Sequence, residues 1–154
     1  MIRIAICDDD PLARDLLVKL LGAHRDILVV GAFARGEEAL AYEGPVDVWL
    51  VDVRMPTLSG HELSSALRSR NPAPEVIMIT AYPDGRLAEA LQAGAVGYLY
   101  KDDNVANMVQ AIRAVAAGYG VTSRDAVDGL LTPANLPVGE SIATDDLDRR
   151  IVAM

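Results

Sequence analysis

The chain has 154 residues, of which 51% are hydrophobic, and this suits one domain with a packed core and a modest extension. Its 22 Asp and Glu against 14 Lys and Arg give a formal net charge of −8, which argues against direct binding to nucleic acid or to an anionic membrane. The single Cys7 excludes a disulfide within the chain, and there is no signal peptide or apolar run of about 20 residues, so we expect a soluble, cytoplasmic protein.

Short apolar runs alternate along the chain with segments of helical periodicity. The runs are Ile2–Cys7, Ile27–Phe33, Val46–Val51, Val76–Thr80 and Ala95–Tyr100. The helical segments are Pro11–Leu21, Gly36–Glu43, Gly60–Arg70, Gly85–Ala93 and Asn104–Ala117. Nearly continuous apolar runs are typical of strands buried on both faces. The alternation therefore predicts an α/β fold, in which helices cover both faces of a parallel sheet.

The character of the sequence changes after Gly118. Residues 119–154 contain Pro133 and Pro137, several Gly, Ser and Thr, and no run that resembles a strand. We expect a domain over residues 1–118, followed by a linker or tail over 119–154 that ends in a short helix within Thr144–Met154.

Polar residues follow four of the predicted strands. Asp8, Asp9 and Asp10 follow the first strand, Asp52 follows the third, Thr80 ends the fourth, and Lys101 follows the fifth. Ligands of parallel sheets bind outside the carboxyl ends of the strands, so these side chains are expected to converge. Asp10 precedes Pro11 and is interpreted mainly as the cap of the first helix.

Such a set of side chains suits phosphoryl transfer. Clustered carboxylates repel one another, and a hard divalent cation such as Mg²⁺ or Mn²⁺ relieves the repulsion. A carboxylate that stays reactive can attack phosphorus and form an aspartyl phosphate. The hydroxyl of Thr80 and the ammonium of Lys101 would stabilise the charge of the transferred group, and the small Ala81 leaves room for a donor.

The sequence resembles the receiver domain of two-component response regulators over about residues 1–118. The matching segments are Ile4–Asp9 (IAICDD), Val48–Asp52 (VWLVD), Met55 with Pro56, Gly60, Val76–Ala81 (VIMITA) and Gly97–Lys101 (GYLYK). The resemblance implies a flavodoxin-like (βα)5 doubly wound parallel sheet with strand order 2-1-3-4-5. It also implies a signalling domain, rather than an enzyme, whose partner is a histidine kinase.

The resemblance further implies a role for each matching residue. Asp52 would be the phosphoacceptor and, with Asp9, a Mg²⁺ ligand, while Asp8 would act largely through a metal-bound water. The backbone carbonyl of Arg54 would complete the protein ligands, and Thr80 and Lys101 would contact the phosphoryl group. In many receivers the Lys precedes a cis Pro, whereas Asp102 follows Lys101 here, which leaves the backbone at this bond undetermined.

A switch is implied by the same resemblance. The phosphoryl group would draw Thr80 toward it and let Tyr98 rotate inward, which repacks the face made by the fourth helix, fifth strand and fifth helix. Tyr100 is expected to point the other way. We expect phosphorylation to shift a homodimerisation equilibrium through this face or through the first and fifth helices.

Details around the acidic pair and Arg54 resemble the NarL/FixJ-type subfamily, whose members usually regulate transcription through a C-terminal DNA-binding domain. Residues 119–154 hold three Arg, no Lys and six acidic residues, and are too few for such a domain. We expect either a receiver cut from a longer regulator or a stand-alone receiver that acts by protein contacts, with DNA bound only through an output domain absent from this chain.

Three other readings remain. A haloacid-dehalogenase-like phosphohydrolase would use Asp8 as nucleophile, but Leu12 stands where its signature has Thr or Val, and Asp52 has no role. A flavin- or nucleotide-binding module needs a phosphate cradle after the first strand, where three Asp would repel phosphate. A degenerate receiver used only for docking is disfavoured, because every reactive position is filled. The residue that takes a phosphoryl group, Asp8 or Asp52, separates the first reading from the receiver.

Overall fold

The computed structural model describes residues 1–82, 86–122 and 151–153, and these residues form one sheet with flanking helices. The strands are β1 Ile2–Cys7, β2 Ile27–Phe33, β3 Val48–Asp52, β4 Glu75–Thr80, β5 Gly97–Tyr100, β6 Gly120–Thr122 and β7 Ile151–Ala153. The helices are α1 Pro11–Gly22, α2 Gly36–Ala41, α3 Gly60–Arg68, α4 Leu87–Gln92 and α5 Val105–Ala116.

The sheet is parallel and has the order β2-β1-β3-β4-β5-β6-β7. The order of the first five strands confirms the predicted 2-1-3-4-5 arrangement. One apolar core lies between the sheet and α2, α3 and α4, and includes Trp49, Leu63 and Leu87. The other lies against α1 and α5, and includes Leu21 and Ile112. Because both faces of the sheet are covered, the strands are nearly continuous apolar runs rather than alternating ones.

The segment after α5 differs from the expectation of a tail without strands. Gly118 has a φ of +98°, and the amides of Gly118 and Tyr119 donate to the carbonyls of Val115 and Ala114. This Schellman arrangement ends α5 and turns the chain back toward the sheet. Gly120–Thr122 then pairs with β5. A run of three residues gives too little periodicity to be recognised as a strand in the sequence.

A helix was expected within Thr144–Met154, and that expectation is wrong where it can be compared. Ile151–Ala153 form β7, which pairs in parallel with β6. The remainder of that predicted helix lies outside the described residues. The boundary of the domain at residue 118 stays a prediction.

The helices in the described part of the chain are short, and the longest, α1 and α5, have 12 residues each. Within residues 1–82, 86–122 and 151–153, no helix combines the length and apolar character that a bilayer crossing requires.

Candidate functional site

The carboxyl edge of the sheet brings together charged residues that follow three different strands. The ammonium of Lys101, after β5, lies 2.8 Å from Oδ2 of Asp8, after β1. It also lies 3.3 Å from Oδ2 of Asp52, at the end of β3. Asp8 is fully buried, Asp52 is 4% exposed, and the Lys101 side chain is 18% exposed. Asp8, Asp52 and Lys101 therefore converge at one edge of the sheet, as the sequence predicts.

Asp9 completes a group of three carboxylates. One carboxylate oxygen from each of Asp8, Asp9 and Asp52 lies within 4.8 Å of the others. Asp9 is exposed, whereas its two neighbours are buried. Burial, the negative charge of Asp8 and hydrogen bonding with Asp9 and Asp8 raise the pKa of Asp52 to about 7, although the Lys101 ammonium opposes this rise. The cluster therefore carries more negative charge than its single ammonium balances.

The donor set fits a hard divalent cation. The three clustered carboxylates supply the oxygen ligands that Mg²⁺ and Mn²⁺ prefer. Burial and the nearby charge of Asp8 raise the pKa of Asp52, and an added cation would oppose both effects by stabilising the ionised carboxylate. No sulfur or imidazole ligand lies in this group, which sets it apart from a typical zinc site.

The Lys101 side chain is held in place by both carboxylates. Burial alone would lower the pKa of Lys101, but the adjacent Asp8 and Asp52 more than offset burial, and the pKa is raised. Lys101 is therefore a permanent cation at neutral pH. The cis peptide bond among the described residues is Asn71–Pro72, so the bond from Lys101 to Asp102 is trans. The position of the Lys101 side chain does not require the cis bond.

The loop from β1 to α1 fixes Asp8. Asp10 caps α1, as predicted, by accepting a hydrogen bond from the amide of Leu12. The amide of Asp10 donates to Oδ1 of Asp8 at 3.0 Å. The guanidinium of Arg14 donates to the backbone carbonyl of Asp8 at 2.8 Å. Arg14 was missed in the sequence, since its position one turn into α1 gives no sign that it reaches back to the loop.

The loop from β3 to α3 fixes Asp52. The amide of Arg54 donates to Oδ1 of Asp52 at 3.3 Å. Gly60 begins α3 next to the end of β3, and a Cβ at this position would collide with the backbone carbonyl oxygen of Asp52. The close approach of α3 to the end of β3 therefore depends on the absence of a side chain at Gly60.

A pocket of about 360 Å³ opens beside the carboxylate of Asp52. Its described lining consists of Asp9, Asp10, Asp52, Arg54, Ala81, Tyr82 and Lys101. The guanidinium carbon of Arg54 lies 4.7 Å from the centre of the Tyr82 ring, which is within cation–π distance. Asp8 is fully buried below this pocket and does not contribute to its described lining. Tyr82 was not singled out in the sequence, where it is an aromatic residue in a loop.

Thr80 lies at the end of β4 and is fully buried. Its hydroxyl accepts a hydrogen bond from the amide of Tyr82 at 3.1 Å and contacts the carbonyl of Tyr82 at 3.2 Å. The backbone carbonyl of Thr80 accepts from the amide of Lys101 at 2.7 Å. Thr80 therefore links the loop that carries Tyr82 to the residue that carries the ammonium.

Tyr98 is fully buried in the core against α2, α3 and α4. The expectation that Tyr100 points the other way is wrong, because residues two apart on a strand lie on the same face. The rings of Tyr98 and Tyr100 are 6.2 Å apart at an angle of 77°, and both belong to the same core. The Tyr98 ring thus points into the core, where it packs against the ring of Tyr100.

Cys7 lies directly below the acidic residues and is not part of a reactive site. Its thiol donates to the sulfur of Met55 at 3.4 Å and is fully buried. Burial, together with the charges of Asp8 and Asp52, raises the pKa of Cys7 to about 12. The thiol therefore stays protonated and packs as an apolar group.

A parallel sheet with this strand order, an acidic group at its carboxyl edge and a lysine that bridges two of the carboxylates define the class of receiver domains. Comparison with known families agrees, since the family described as "Response regulator receiver domain" matches residues 4–113. The chain belongs to this family, whose members are signalling domains that work with histidine kinases.

Curated relatives extend the comparison. The chain is 37% identical to the "Uncharacterized transcriptional regulatory protein YxjL" of Bacillus subtilis over 123 residues, 78% of this chain and 56% of YxjL. It is 40% identical to the "Response regulator GacA" of Pseudomonas viridiflava over 121 residues, 77% of this chain and 56% of GacA. The chain thus spans a little over half the length of these relatives.

Among solved structures, the receiver domain of the response regulator NarL from Mycobacterium tuberculosis is similar to this chain, with a TM-score of 0.71 and 34% identity. The similarity covers 76% of this chain and 97% of that domain. The similarity to NarL agrees with the NarL/FixJ-like character predicted from the sequence.

Proposed function

We propose that this protein accepts a phosphoryl group on Asp52 from a histidine kinase, with a divalent cation bound by Asp8, Asp9, Asp52 and the carbonyl of Arg54. The observation that carries the proposal is the position of Asp52. It is the carboxylate that faces the pocket while touching the Lys101 ammonium, at 3.3 Å. Asp52 therefore combines a nucleophilic carboxylate, a neighbouring cation and access to a pocket through which a donor can approach.

The transfer is a substitution at phosphorus. An oxygen of Asp52 forms the new P–O bond while the P–N bond of the phosphohistidine breaks, and the electrons of that bond leave with the imidazole nitrogen. When bound, Mg²⁺ supplies positive charge that keeps the carboxylates ionised and offsets the charge of the phosphoryl oxygens. Lys101 stabilises the same charge from the β5 side, and the Thr80 hydroxyl would turn from Tyr82 toward the phosphoryl group.

Asp8 is a weaker candidate for the nucleophile than Asp52. Its Oδ1 accepts the amide of Asp10, its Oδ2 lies against the Lys101 ammonium, and the residue is fully buried. An incoming phosphate would first have to displace these contacts. This geometry favours phosphotransfer to Asp52 over a hydrolase that uses Asp8.

The experiment is incubation with acetyl phosphate and Mg²⁺, followed by intact mass spectrometry. We expect the gain of one phosphoryl group, which is lost in Asp52→Asn and in the presence of a chelator. Asp15→Asn is the matched control, because Asp15 is an exposed aspartate on α1, away from the pocket. A phosphoryl group that persists in Asp52→Asn and disappears in Asp8→Asn would instead identify the hydrolase chemistry.

The conformational output is proposed to pass through Thr80 and Tyr98. Tyr98 is fully buried here, as the resemblance implies for the phosphorylated form. Movement of Thr80 toward the phosphoryl group would change its contacts with Tyr82 and favour the inward position of Tyr98. The phosphoryl group would thus shift the equilibrium between two positions of the Tyr98 ring.

The signal is proposed to control transcription through a DNA-binding domain outside this chain, as the names of several relatives suggest. Phosphorylation is proposed to favour a homodimer through α4, β5 and α5, or through α1 and α5. Leu12 and Leu16 lie one turn apart on α1 and are 81% and 55% exposed. These exposed apolar side chains support a dimer formed through α1 and α5. Sedimentation that is identical with and without beryllofluoride would argue against dimerisation.

A further inference from the structure

The segment that leaves α5 is attached to the strand that carries Tyr98. Gly118 turns the chain at the end of α5, and all three residues of β6 are buried. Val121, in the middle of β6, is 1% exposed and packs in the core against α1 and α5. β6 is therefore anchored by apolar burial as well as by strand pairing.

Two carbonyl groups of the β5 segment face β6. The amide of Val121 donates to the carbonyl of Val96 at 2.8 Å. The hydroxyl of Thr122 donates to the carbonyl of Tyr98 at 3.1 Å. Thr122 is 1% exposed, so this hydrogen bond is shielded from water. Breaking it would leave a buried polar group without this partner, which costs more than an exposed hydrogen bond.

Tyr98 is consequently held on both sides of its strand. Met78 of β4 is its partner on one side, two residues before Thr80, and Thr122 of β6 is its partner on the other. Its ring lies in the core against α2, α3 and α4. Tyr98 belongs to β5, which pairs with β4 on one side and with β6 on the other. A change at Thr80 that repositions Tyr98 would therefore also affect the pairing of β5 with β6.

We propose that Thr122 is a positioning residue that couples the inward position of Tyr98 to the docking of β6 on β5. This proposal rests on the proposed function, and it names the path by which phosphorylation of Asp52 reaches the chain beyond α5. In this structure Tyr98 is inward and β6 is docked, so the two conditions occur together. Phosphorylation favours both, and by linkage a docked β6 favours phosphorylation.

The experiment measures amide hydrogen exchange of the full chain with and without beryllofluoride and Mg²⁺. In the wild-type protein we expect beryllofluoride to slow exchange at the amide of Val121 severalfold, since that amide bonds to the β5 segment. Exchange in β2, at the far edge of the sheet, serves as the internal reference.

Two variants of Thr122 test the hydroxyl itself. Thr122→Val keeps the shape and strand preference but removes the donor, whereas Thr122→Ser retains the donor. We expect Thr122→Val to lose the protection gained at Val121 and to bind beryllofluoride about two- to tenfold more weakly, the range that one hydrogen bond supplies. Thr122→Ser should keep both properties near the wild-type values.

The outcomes separate this proposal from the function on which it rests. Beryllofluoride binding that leaves exchange at Val121 unchanged in the wild-type protein would overturn the coupling while leaving phosphorylation of Asp52 intact. Equal beryllofluoride affinity in Thr122→Val and wild type would do the same. Failure of the wild-type protein to bind beryllofluoride or accept a phosphoryl group would overturn the proposed function itself. The wild-type exchange measurement decides the coupling even if Thr122→Val does not fold.

Discussion

The ammonium of Lys101 lies 2.8 Å from Oδ2 of Asp8, although β3 and β4 separate the two strands from which these residues extend. The lysine also lies 3.3 Å from Oδ2 of Asp52, so its closer contact is with Asp8, the more deeply buried of the two carboxylates. Under the proposed function, the Lys101 ammonium would compete with a metal ion for the carboxylate oxygens and would also stabilise a phosphoryl group on Asp52. Removing the ammonium should have opposite effects on metal binding and on phosphorylation.

Lys101→Met tests this pair of effects. It keeps most of the side-chain length but removes the charge, so Mg²⁺ should bind at least about threefold more tightly, because a neighbouring cation is gone. Phosphorylation by acetyl phosphate should slow by about 100-fold, the order of magnitude for losing one group that stabilises transition-state charge.

Titration calorimetry with Mg²⁺ and a time course of intact mass provide the two measurements. Lys19→Met is the matched control, because the other lysine of the chain is exposed on α1. Weaker Mg²⁺ binding in Lys101→Met would show that the ammonium organises the carboxylates rather than competing for them.

The pKa of Asp52 predicts how the stability of the metal-free protein depends on pH. Burial and the charge of Asp8 raise this pKa to about 7, so between about pH 4 and pH 7 the folded state binds more protons than the unfolded state. The free energy of unfolding therefore falls as the pH rises through this window.

Asp52→Asn removes this titration. We expect it to stabilise the metal-free protein by about 1 to 3 kcal/mol at pH 8, with the gain shrinking toward pH 4. Urea unfolding in a chelator, at several pH values, measures the difference. Asp15→Asn should change stability little at any pH, and a destabilised Asp52→Asn at pH 8 would show that the charge of Asp52 is well compensated without metal.

The first five strands of the sheet were predictable because they are nearly continuous apolar runs. Predicted and observed bounds agree for β1 and β2, whereas β3 begins at Val48 rather than Val46 and β5 at Gly97 rather than Ala95. The residues just before these two strands, which include Val46 and Val96, lie in irregular segments that contact other elements. The carboxylate of Asp47, for example, pairs with the guanidinium of Arg3 at the start of the sheet. Such tertiary contacts have no local signal in the sequence.

The charged centre was predictable for a different reason. In a parallel sheet every strand ends at the same edge, so spacing alone brings Asp8, Asp52 and Lys101 together. The paths of loops are not determined in this way. The stacking of Arg54 on Tyr82 and the bond of Thr122 to Tyr98 join residues whose proximity follows from the folded backbone.

Gly60→Ala should displace Asp52. The added Cβ would collide with the carbonyl oxygen of Asp52 and lie 2.9 Å from Cα of Val53, and neither backbone atom can move cheaply. Although Ala is the better helix former, we expect a loss of about 2 to 4 kcal/mol in stability, together with slower phosphorylation.

Gly22→Ala is the matched control for Gly60→Ala. A Cβ at Gly22 would meet Val29 at 3.7 Å, an ordinary contact, so stability should stay within about 1 kcal/mol of wild type. Thermal unfolding of both variants, with intact mass after acetyl phosphate treatment, gives the comparison. Equal stability of the two variants would mean that α3 can shift away from the end of β3.

Tyr82→Ala should shorten the lifetime of the phosphorylated state. The Tyr82 ring supports the guanidinium of Arg54, and both side chains line the pocket above Asp52. Hydrolysis of an aspartyl phosphate requires water to approach the phosphorus atom through this opening. Without the ring the pocket widens and Arg54 loses its stacking partner, so water gains access and the phosphoryl group should be lost severalfold faster.

Tyr82→Phe is the control that isolates the ring. It keeps the cation–π surface, and both variants keep the backbone groups of Tyr82 that contact the Thr80 hydroxyl. The decay of the phosphorylated mass after removal of acetyl phosphate measures the lifetime, which should match wild type in Tyr82→Phe. Equal decay in all three proteins would show that the stack does not limit water. Faster decay in both variants would place the effect in the phenolic hydroxyl rather than the ring.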